Sequence, residues 1–160
     1  MKPTHDEPAA LTPDGRLSEA GLRQIVGYEL AQAAITTSQV FSTLVGDVFD
    51  LRPVEFTLLT LLNENPGTSA KRLAQALAVT PPNITMWMDR LETRGLIARE
   101  RSVTDRRAQH IRLTPKGTQI ARKAFKLLTE GEQTALAPLS VAERTMLVEL
   151  LHKVACCRTR

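Results

Sequence analysis

The chain has 160 residues, 42% of them hydrophobic, which is enough for one domain with a core. It contains no apolar run of the roughly 20 residues that span a membrane, and its N-terminus lacks the apolar stretch of a secretion signal. The two cysteines, Cys156 and Cys157, are adjacent, and no His or Cys with zinc-type spacing surrounds them. These features predict a reduced, cytoplasmic protein without a metal, a cofactor or a membrane partner.

The net charge of +4 is unevenly distributed along the chain. Residues 69–117 contain ten Lys and Arg against four Asp and Glu, a net charge of +6, whereas residues 1–68 carry −5 and residues 118–160 carry +3. A concentrated basic segment is typical of a surface that binds phosphate groups. A basic face that meets only solvent is the alternative that charge alone leaves open.

The N-terminal third predicts a tail and two helices. Residues 1–16 are polar and contain prolines, which predicts a disordered tail. Ser18 is a candidate N-cap for a long helix, because apolar residues follow it at helical spacing as far as Val45. Pro53 is suited to the first turn of the next helix, which is apolar nearly all round and is therefore expected to be buried.

Two short helices and a β-hairpin come next. Ser69 is the predicted N-cap of the first helix and Thr80 that of the second, which Gly95 ends. Residues 96–101 and 109–113 predict paired strands joined by a polar loop. The apolar positions of the second helix have the spacing of a core stripe rather than of a ligand site: Ile84, Trp87, Met88 and Leu91.

Two helices complete the chain. Thr114 and Pro115 begin the first of them. Ser140 and Glu143 form a capping box that opens the second. The last helix is expected to bury five apolar side chains: Met146, Leu147, Leu150, Leu151 and Val154.

A helix pair followed by a basic hairpin is a shape that binds duplex DNA, with one helix in the major groove. On the second helix, Asn83 can bond bidentately to adenine, and Pro82 and Met86 offer apolar contact to a thymine methyl. Arg90, two turns further on, is expected to meet phosphate. Asp89 is expected to be an ion-pair partner of Arg90 or of a hairpin residue rather than a DNA contact.

Phosphate contacts are expected from two further places. The N-terminus of the preceding helix offers free N–H groups, to which Ser69, Lys71 and Arg72 add side chains. The hairpin tip carries Asp105, Arg106 and Arg107. A planar guanidinium suits a narrow minor groove, and Asp105 can orient that of Arg107 while Arg106 reaches phosphate. The predicted DNA-binding residues are Ser69, Lys71, Arg72, Thr80, Pro82, Asn83, Met86, Arg90, Asp105, Arg106 and Arg107.

Two runs carry a family resemblance: MDRLETRGLI at Met88–Ile97 and DRRAQHIRLTPKG at Asp105–Gly117. With them, the chain from about Leu17 to Val154 resembles the MarR family of dimeric winged helix-turn-helix regulators. The resemblance implies a mainly α fold with a small β-wing. Residues 51–117 would form the winged helix-turn-helix DNA-binding domain, and residues 17–50 and 118–160 the dimerisation helices. Met86 departs from the family, in which this exposed position is often basic.

The same resemblance implies a homodimer on a pseudo-palindromic operator, and a repressor released when a small molecule enters a cavity beside the dimerisation helices. A weaker similarity to regulators of aromatic catabolism, in GYELAQA and LRPVEF, implies an aromatic acid or its coenzyme A thioester as effector. Tyr28, Arg52 and Phe56 would then lie near the cavity.

Three other interpretations stay open or are excluded at this point. An effector-independent architectural DNA-binding protein would need no cavity. A redox-responsive regulator would use Cys156 and Cys157, although we expect no acid–base partner beside them. The three scattered histidines, with no nucleophile–base pair or phosphate loop, give no basis for an enzyme or a catalytic residue.

Overall fold

The computed structural model describes residues 11–101 and 109–158. They form two compact units, one ending at Gln39 and one beginning at Val40. Among these residues the fold is mainly α with one small antiparallel sheet, as predicted. None of the described helices is long and apolar enough to cross a membrane.

The elements follow one another in the predicted order. Their bounds are α1, Val26–Phe41; α2, Pro53–Glu64; α3, Ala70–Leu77; α4, Pro81–Thr93; β1, Ile97–Arg101; β2, Gln109–Leu113; α5, Pro115–Ala135; and α6, Val141–Cys156. The helical path of α1 continues through a π-helical segment, Ser42–Gly46, and a short turn, Asp47–Phe49. Asp50 ends it with a left-handed backbone (φ 49°).

The start of α1 differs from the prediction. Ser18 is not its N-cap, because Ser18 pairs with Leu11 in an antiparallel bridge and the helix begins only at Val26. The Thr12 N–H donates to the Leu17 carbonyl at 2.9 Å, and Gly15 lies inside this turn with a left-handed backbone. Residues 11–16 are therefore folded into a turn rather than part of a disordered tail.

The junctions around α3 and α4 follow the sequence signals. The Ser69 hydroxyl accepts the Arg72 N–H at 3.4 Å, which confirms the cap of α3. Thr80 occupies the N-cap position of α4, but in the described structure its hydroxyl accepts no capping hydrogen bond. At the other end of α4, Gly95 is left-handed (φ 67°) and the Leu96 N–H returns to the Leu91 carbonyl at 2.9 Å. This hydrogen bond turns the chain directly into β1.

The sheet holds more than the predicted hairpin. Strands β1 and β2 pair antiparallel, with Ile97 opposite Leu113. The turn before α3 then adds a third segment, because the Ile111 N–H donates to the Thr68 carbonyl at 3.0 Å and the Gly67 N–H to the Ile111 carbonyl at 3.1 Å. The base of the hairpin is thereby fixed to the start of the helix pair.

The core lies in the unit that begins at Val40, where α2 packs against α5 and the sheet. Its large, fully buried side chains come from α2, α4, β2, the π-helical segment and the turn before β1: Val45, Leu58, Leu59, Leu62, Ile84, Leu91, Leu96 and Ile111. The expected burial of α2 is confirmed for three of its four leucines, Leu58, Leu59 and Leu62, while Phe56 and Leu61 are half-buried.

The last helix contradicts its prediction. The Ser140–Glu143 capping box is present, but within the described chain α6 buries none of its residues. The five side chains expected inside are all exposed: Met146, Leu147, Leu150, Leu151 and Val154. An amphipathic pattern does not distinguish a face that packs within one chain from a face that packs against another.

Candidate nucleic-acid interface

The predicted DNA-reading side chains lie on the exposed surfaces of α3 and α4. Six of them are exposed: Lys71, Arg72, Thr80, Pro82, Asn83 and Met86. Ser69 is half-buried because its hydroxyl caps α3. The helix period explains this exposure, because Ile84, Met88 and Leu91 on the opposite face of α4 are buried in the core. Trp87 is half-buried against that core, as predicted.

Arg90 occupies a different environment from the one predicted. Its Nε lies 3.2 Å from Glu55 Oε1, and its Nη2 donates to both Asp50 carboxylate oxygens at 3.2 Å. The Glu55 side chain has 0% exposure, whereas that of Arg90 has 32%. The Nε–H does not point well at the Glu55 oxygen, so this contact is an ion pair rather than a hydrogen bond. Arg90 thus neutralises a buried carboxylate, and its phosphate contact stays a prediction.

Arg94 also binds the segment around Asp50, and the sequence analysis did not predict this role. One turn after Arg90, its Nη1 donates to the Asp50 carbonyl at 2.6 Å and its Nη2 to the Phe49 carbonyl at 2.7 Å. These carbonyls end a helical segment and have no partner further along the helix. The i, i+4 spacing of the two arginines was the available signal. The second half of α4 is therefore attached to the segment that precedes α2.

Asp89 anchors the hairpin to α4. Its carboxylate forms an ion pair with Arg99 of β1, and Arg99 Nε also lies 3.3 Å from Glu92 Oε2. This confirms the interpretation of Asp89 as the partner of a hairpin residue, and it makes Arg99 a bracing residue. Two acidic side chains of α4 therefore hold the hairpin strand in place beside the helix.

His110 makes a second connection to the hairpin. Its Nδ1 lies 2.7 Å from the Gly67 carbonyl oxygen. Because a carbonyl only accepts, the hydrogen is on Nδ1, and the half-buried imidazole donates to the turn that precedes α3. The base of the hairpin is thus fixed at α3 as well as at α4. The predicted tip residues, Asp105, Arg106 and Arg107, lie outside the described residues.

The three predicted effector residues each have described local contacts or exposure. Tyr28 donates its hydroxyl to Glu19 Oε2 at 2.6 Å, and this hydrogen bond raises the pKa of Tyr28. The Arg52 side chain is exposed at the N-cap of α2. Phe56 packs edge-on against Phe41, with ring centroids 5.8 Å apart.

A cleft of about 300 Å³ lies between α2 and α5. It is lined by Thr60, Asn63, Glu64, Ala121, Arg122 and Phe125. Neither Arg52 nor Phe56 is among these lining residues.

The two cysteines are exposed, and the expectation that they lack an acid–base partner is wrong. Cys156 Sγ lies 3.6 Å from Nε2 of His152, one helical turn earlier. Across residues 11–101 and 109–158, no group of three or more His, Cys, Asp or Glu side chains is arranged to hold a metal ion.

Comparison with known proteins places this geometry in a family. A sequence model of the MarR family matches residues 51–108, from the end of the α1 segment into the hairpin. A transcriptional regulatory protein assigned to the hcr operon of Thauera aromatica is 31% identical over 129 residues, which cover 81% of this chain and 78% of that protein. The chain belongs to the MarR family. It is therefore a winged helix-turn-helix, DNA-binding transcriptional regulator, as the motifs predicted.

Solved structures of DNA-binding regulators share this fold over most of the chain. The transcriptional repressor CouR, bound to a 23-mer DNA duplex, is 34% identical, with a TM-score of 0.80 over 87% of this chain and 98% of that one. BpsR of Bordetella bronchiseptica, whose DNA binding is regulated by 6-hydroxynicotinic acid, is 25% identical. Its TM-score is 0.76, over 86% of this chain and 97% of BpsR.

Proposed function

We propose that this MarR-family chain is a homodimeric repressor in the cytoplasm. It binds a pseudo-palindromic operator and leaves it when a small aromatic acid, or the coenzyme A thioester of one, binds. The observation that carries the proposal is the exposed face of α4 above a fully buried stripe, braced at Arg90, Arg94 and Asp89. A rigid helix with short polar and apolar side chains on its free face suits the major groove.

The first half of α4 reads the bases in this proposal. Asn83 bonds an adenine edge, and Pro82 and Met86 contact thymine methyl groups. The second half of the helix is held through Arg90 by carboxylates and through Arg94 by backbone carbonyls. These two arginines therefore fix the angle of the helix instead of contributing base contacts. Lys71, Arg72 and the N-terminus of α3 meet phosphate. The repressor CouR, similar over 87% of this chain, binds a DNA duplex and supports this assignment.

The exposed apolar side of α6 supports the homodimer. Leu150 is 49% exposed, and its neighbours on the helix are exposed as well: Val141, Met146, Leu147, Val148, Leu151 and Val154. In the other unit, the N-terminal part of α1 has exposed Val26, Leu30 and Ile35. Exposed apolar side chains in this number on one helix, α6, are expected to be covered by a partner. A second copy would place two α4 helices roughly 34–36 Å apart, one turn of DNA.

Release from DNA is a population shift in this proposal. The effector binds more tightly to a dimer in which the separation of the α4 helices does not match the DNA than to the DNA-binding dimer. The difference between these two binding free energies sets how far operator affinity falls. Support for an aromatic acid comes from BpsR, whose DNA binding responds to 6-hydroxynicotinic acid. Tyr28, Arg52 and Phe56 are the proposed effector contacts. The cleft between α2 and α5, lined by Phe125 and Arg122, is a second candidate place for an aromatic acid, because it offers an aromatic ring and a cation.

The test is DNA binding by fluorescence anisotropy at two salt concentrations, with duplexes from upstream of the chain's own gene and a scrambled duplex of the same length. Each measurement is repeated with aromatic acids and their coenzyme A thioesters. We expect selective binding that one compound class releases. Selective binding that no compound changes would overturn the proposal that an aromatic acid or thioester releases the protein. Equal, strongly salt-dependent binding to both duplexes would overturn the proposal of an operator-specific repressor and favour an architectural protein.

A further inference from the structure

The carboxylate of Asp50 lies against two arginines, Arg90 on α4 and Arg94 at its C-cap. Asp50 ends the helical segment that precedes α2, and each of its carboxylate oxygens accepts a hydrogen bond from Arg90 Nη2 at 3.2 Å. Arg94 Nη1 lies 3.9 Å from Asp50 Oδ2. The Asp50 side chain is 79% exposed, whereas those of Arg90 and Arg94 are 32% and 25% exposed. The carboxylate is therefore the member of this cluster that solvent reaches most easily.

The two arginines continue the side of α4 that carries Asn83. Steps of seven and four residues return to nearly the same side of an α-helix, so Asn83, Arg90 and Arg94 lie along one line. Arg90 is about 10 Å further along the helix axis than Asn83. A helix that reads bases with its first turns leaves the major groove further on, where backbone phosphates are the nearest groups. In the proposed orientation of α4, the two guanidinium groups therefore lie beside the DNA backbone.

The charges of this cluster sum to zero because of Asp50. Arg90 and Arg94 carry two positive charges, and the buried Glu55 and the exposed Asp50 carry two negative ones. Glu55 cannot leave Arg90 without becoming an unpaired charge in the core. Asp50 can leave, because water solvates an exposed carboxylate. A guanidinium binds carboxylate and phosphate groups in the same planar geometry, so a phosphate can take the place of Asp50.

We propose that Arg90 and Arg94 form a site for one backbone phosphate of DNA, and that Asp50 occupies this site in the free protein. DNA binding exchanges the carboxylate for the phosphate. The lost contact with Asp50 offsets part of the attraction to phosphate, so Asp50 lowers the affinity for DNA of any sequence. The helix stays braced during the exchange, because Arg90 keeps Glu55 and Arg94 keeps the carbonyls of Phe49 and Asp50. This inference rests on the proposed placement of α4 in the major groove.

Asp50→Asn is the variant that tests the site. Asparagine keeps the shape of the side chain, still accepts a hydrogen bond from Arg90, and tolerates the left-handed backbone at this position (φ 49°). We expect the variant to bind both the upstream and the scrambled duplex about two- to fivefold more tightly, the size of one exposed ion pair. The slope of log affinity against log salt should steepen by up to about one, because the cluster gains one net positive charge beside the backbone.

The same helical segment supplies a matched control. Asp47 is exposed three residues before Asp50, and in the described structure it pairs with neither arginine. Asp47→Asn removes the same charge from the protein, and it should leave the affinity and the salt slope nearly unchanged. Arg94→Gln added to Asp50→Asn should remove the gain, since the site then lacks one of its two cations. Circular dichroism checks that each variant is folded.

The comparison of the two duplexes decides between a phosphate and a base. A gain of equal size on both supports a phosphate contact, whereas a gain on the upstream duplex alone would mean a base contact and overturn the proposal. A gain of the same size from Asp47→Asn would show a general effect of net charge and overturn it too. Unchanged or weaker binding by the folded Asp50→Asn variant would make Asp50 a brace alone.

Failure of the proposed function gives a different result. Equal binding of the unmodified chain to the two duplexes would contradict an operator-specific repressor. The salt slopes of the unmodified chain and of Asp50→Asn on the scrambled duplex would still decide whether Arg90 and Arg94 hold a phosphate.

Discussion

Arg90 on α4 and Glu55 on α2 form an ion pair, with 3.2 Å between Nε and Oε1, in which the carboxylate is fully buried and the guanidinium is about one-third exposed. The other oxygen, Glu55 Oε2, accepts the Arg52 N–H at 2.8 Å and so closes the first turn of α2. One carboxylate therefore both starts α2 and holds α4. This pairing explains why a polar side chain lies at a position of α2 that faces the core.

Replacing Arg90 by Met tests this relationship. The change removes the cation but keeps most of the apolar stem, and it leaves the Glu55 carboxylate buried without a counter-charge. Loss of one partner from a fully buried pair costs about 3–5 kcal/mol, and because Arg90 is partly solvated we expect about 2–3 kcal/mol. Urea unfolding gives the value. The control is Arg72→Met on the exposed surface of α3, expected to change stability by less than about 0.5 kcal/mol. Equal effects of the two variants would contradict the structural role of Arg90.

Much of the fold was predictable because its signals are local. The caps at Ser69, Thr114 and Ser140, the Pro53 first turn and the Gly95 end of α4 depend on residues a few positions apart, and the sequence predicts all of these positions. The exposed face of α4 also followed from the helix period alone. The start of α1 was not predictable in this way, because the Leu11–Ser18 bridge competes with a good N-cap signal.

The bracing of the candidate interface was not predictable, because its contacts join residues far apart in sequence. Arg94 meets carbonyls more than 40 positions earlier, and His110 meets Gly67. A charged residue on a helix gives the same sequence signal whether it meets phosphate, solvent or a buried carboxylate. The sequence therefore predicts a phosphate contact for Arg90. It also predicts burial for the apolar side chains of α6, since a single sequence does not tell whether the same chain or a second copy covers them.

Asn83 and Lys71 are expected to affect DNA binding in different ways. Asn83→Ala should weaken operator binding by about 1–3 kcal/mol and relax the preference for adenine at one position, since the variant lacks the amide that makes the proposed bidentate base contact. Lys71→Ala should weaken binding to all duplexes and lower the slope of log affinity against log salt by about one, since one phosphate contact is lost. Anisotropy titrations at four salt concentrations measure both. A reduced salt slope for Asn83→Ala, or a sequence-dependent loss for Lys71→Ala, would reverse the two assignments.

Gly117 is required where α5 begins. A Cβ at this position would overlap the carbonyl oxygen of Leu96, which is rigid backbone at the start of the hairpin. We expect Gly117→Ala to lower stability by about 1–3 kcal/mol or more, the usual cost of overpacking. Gly27→Ala in α1 is the matched control, because nothing lies within 4 Å of its added Cβ. That change should stabilise the helix by up to about 1 kcal/mol. Thermal unfolding should give a lower melting temperature for Gly117→Ala and a higher one for Gly27→Ala. An unchanged melting temperature for Gly117→Ala would mean that α5 moves away from the hairpin at little cost in free energy.

Leu150 tests whether a second copy of the chain covers the apolar side chains of α6. If a second copy packs on this helix, Leu150→Asp places an unpaired charge in an apolar interface. The free energy of dimer association should then weaken by about 2–4 kcal/mol. Sedimentation equilibrium should then give the 17.7 kDa mass of one chain for the variant and twice that mass for the unmodified protein. Glu149→Gln, an exposed change one residue earlier, controls for an effect on the helix itself and should stay dimeric. A dimer that survives Leu150→Asp would move the interface away from α6, and the exposed face of α1 would be the next to test.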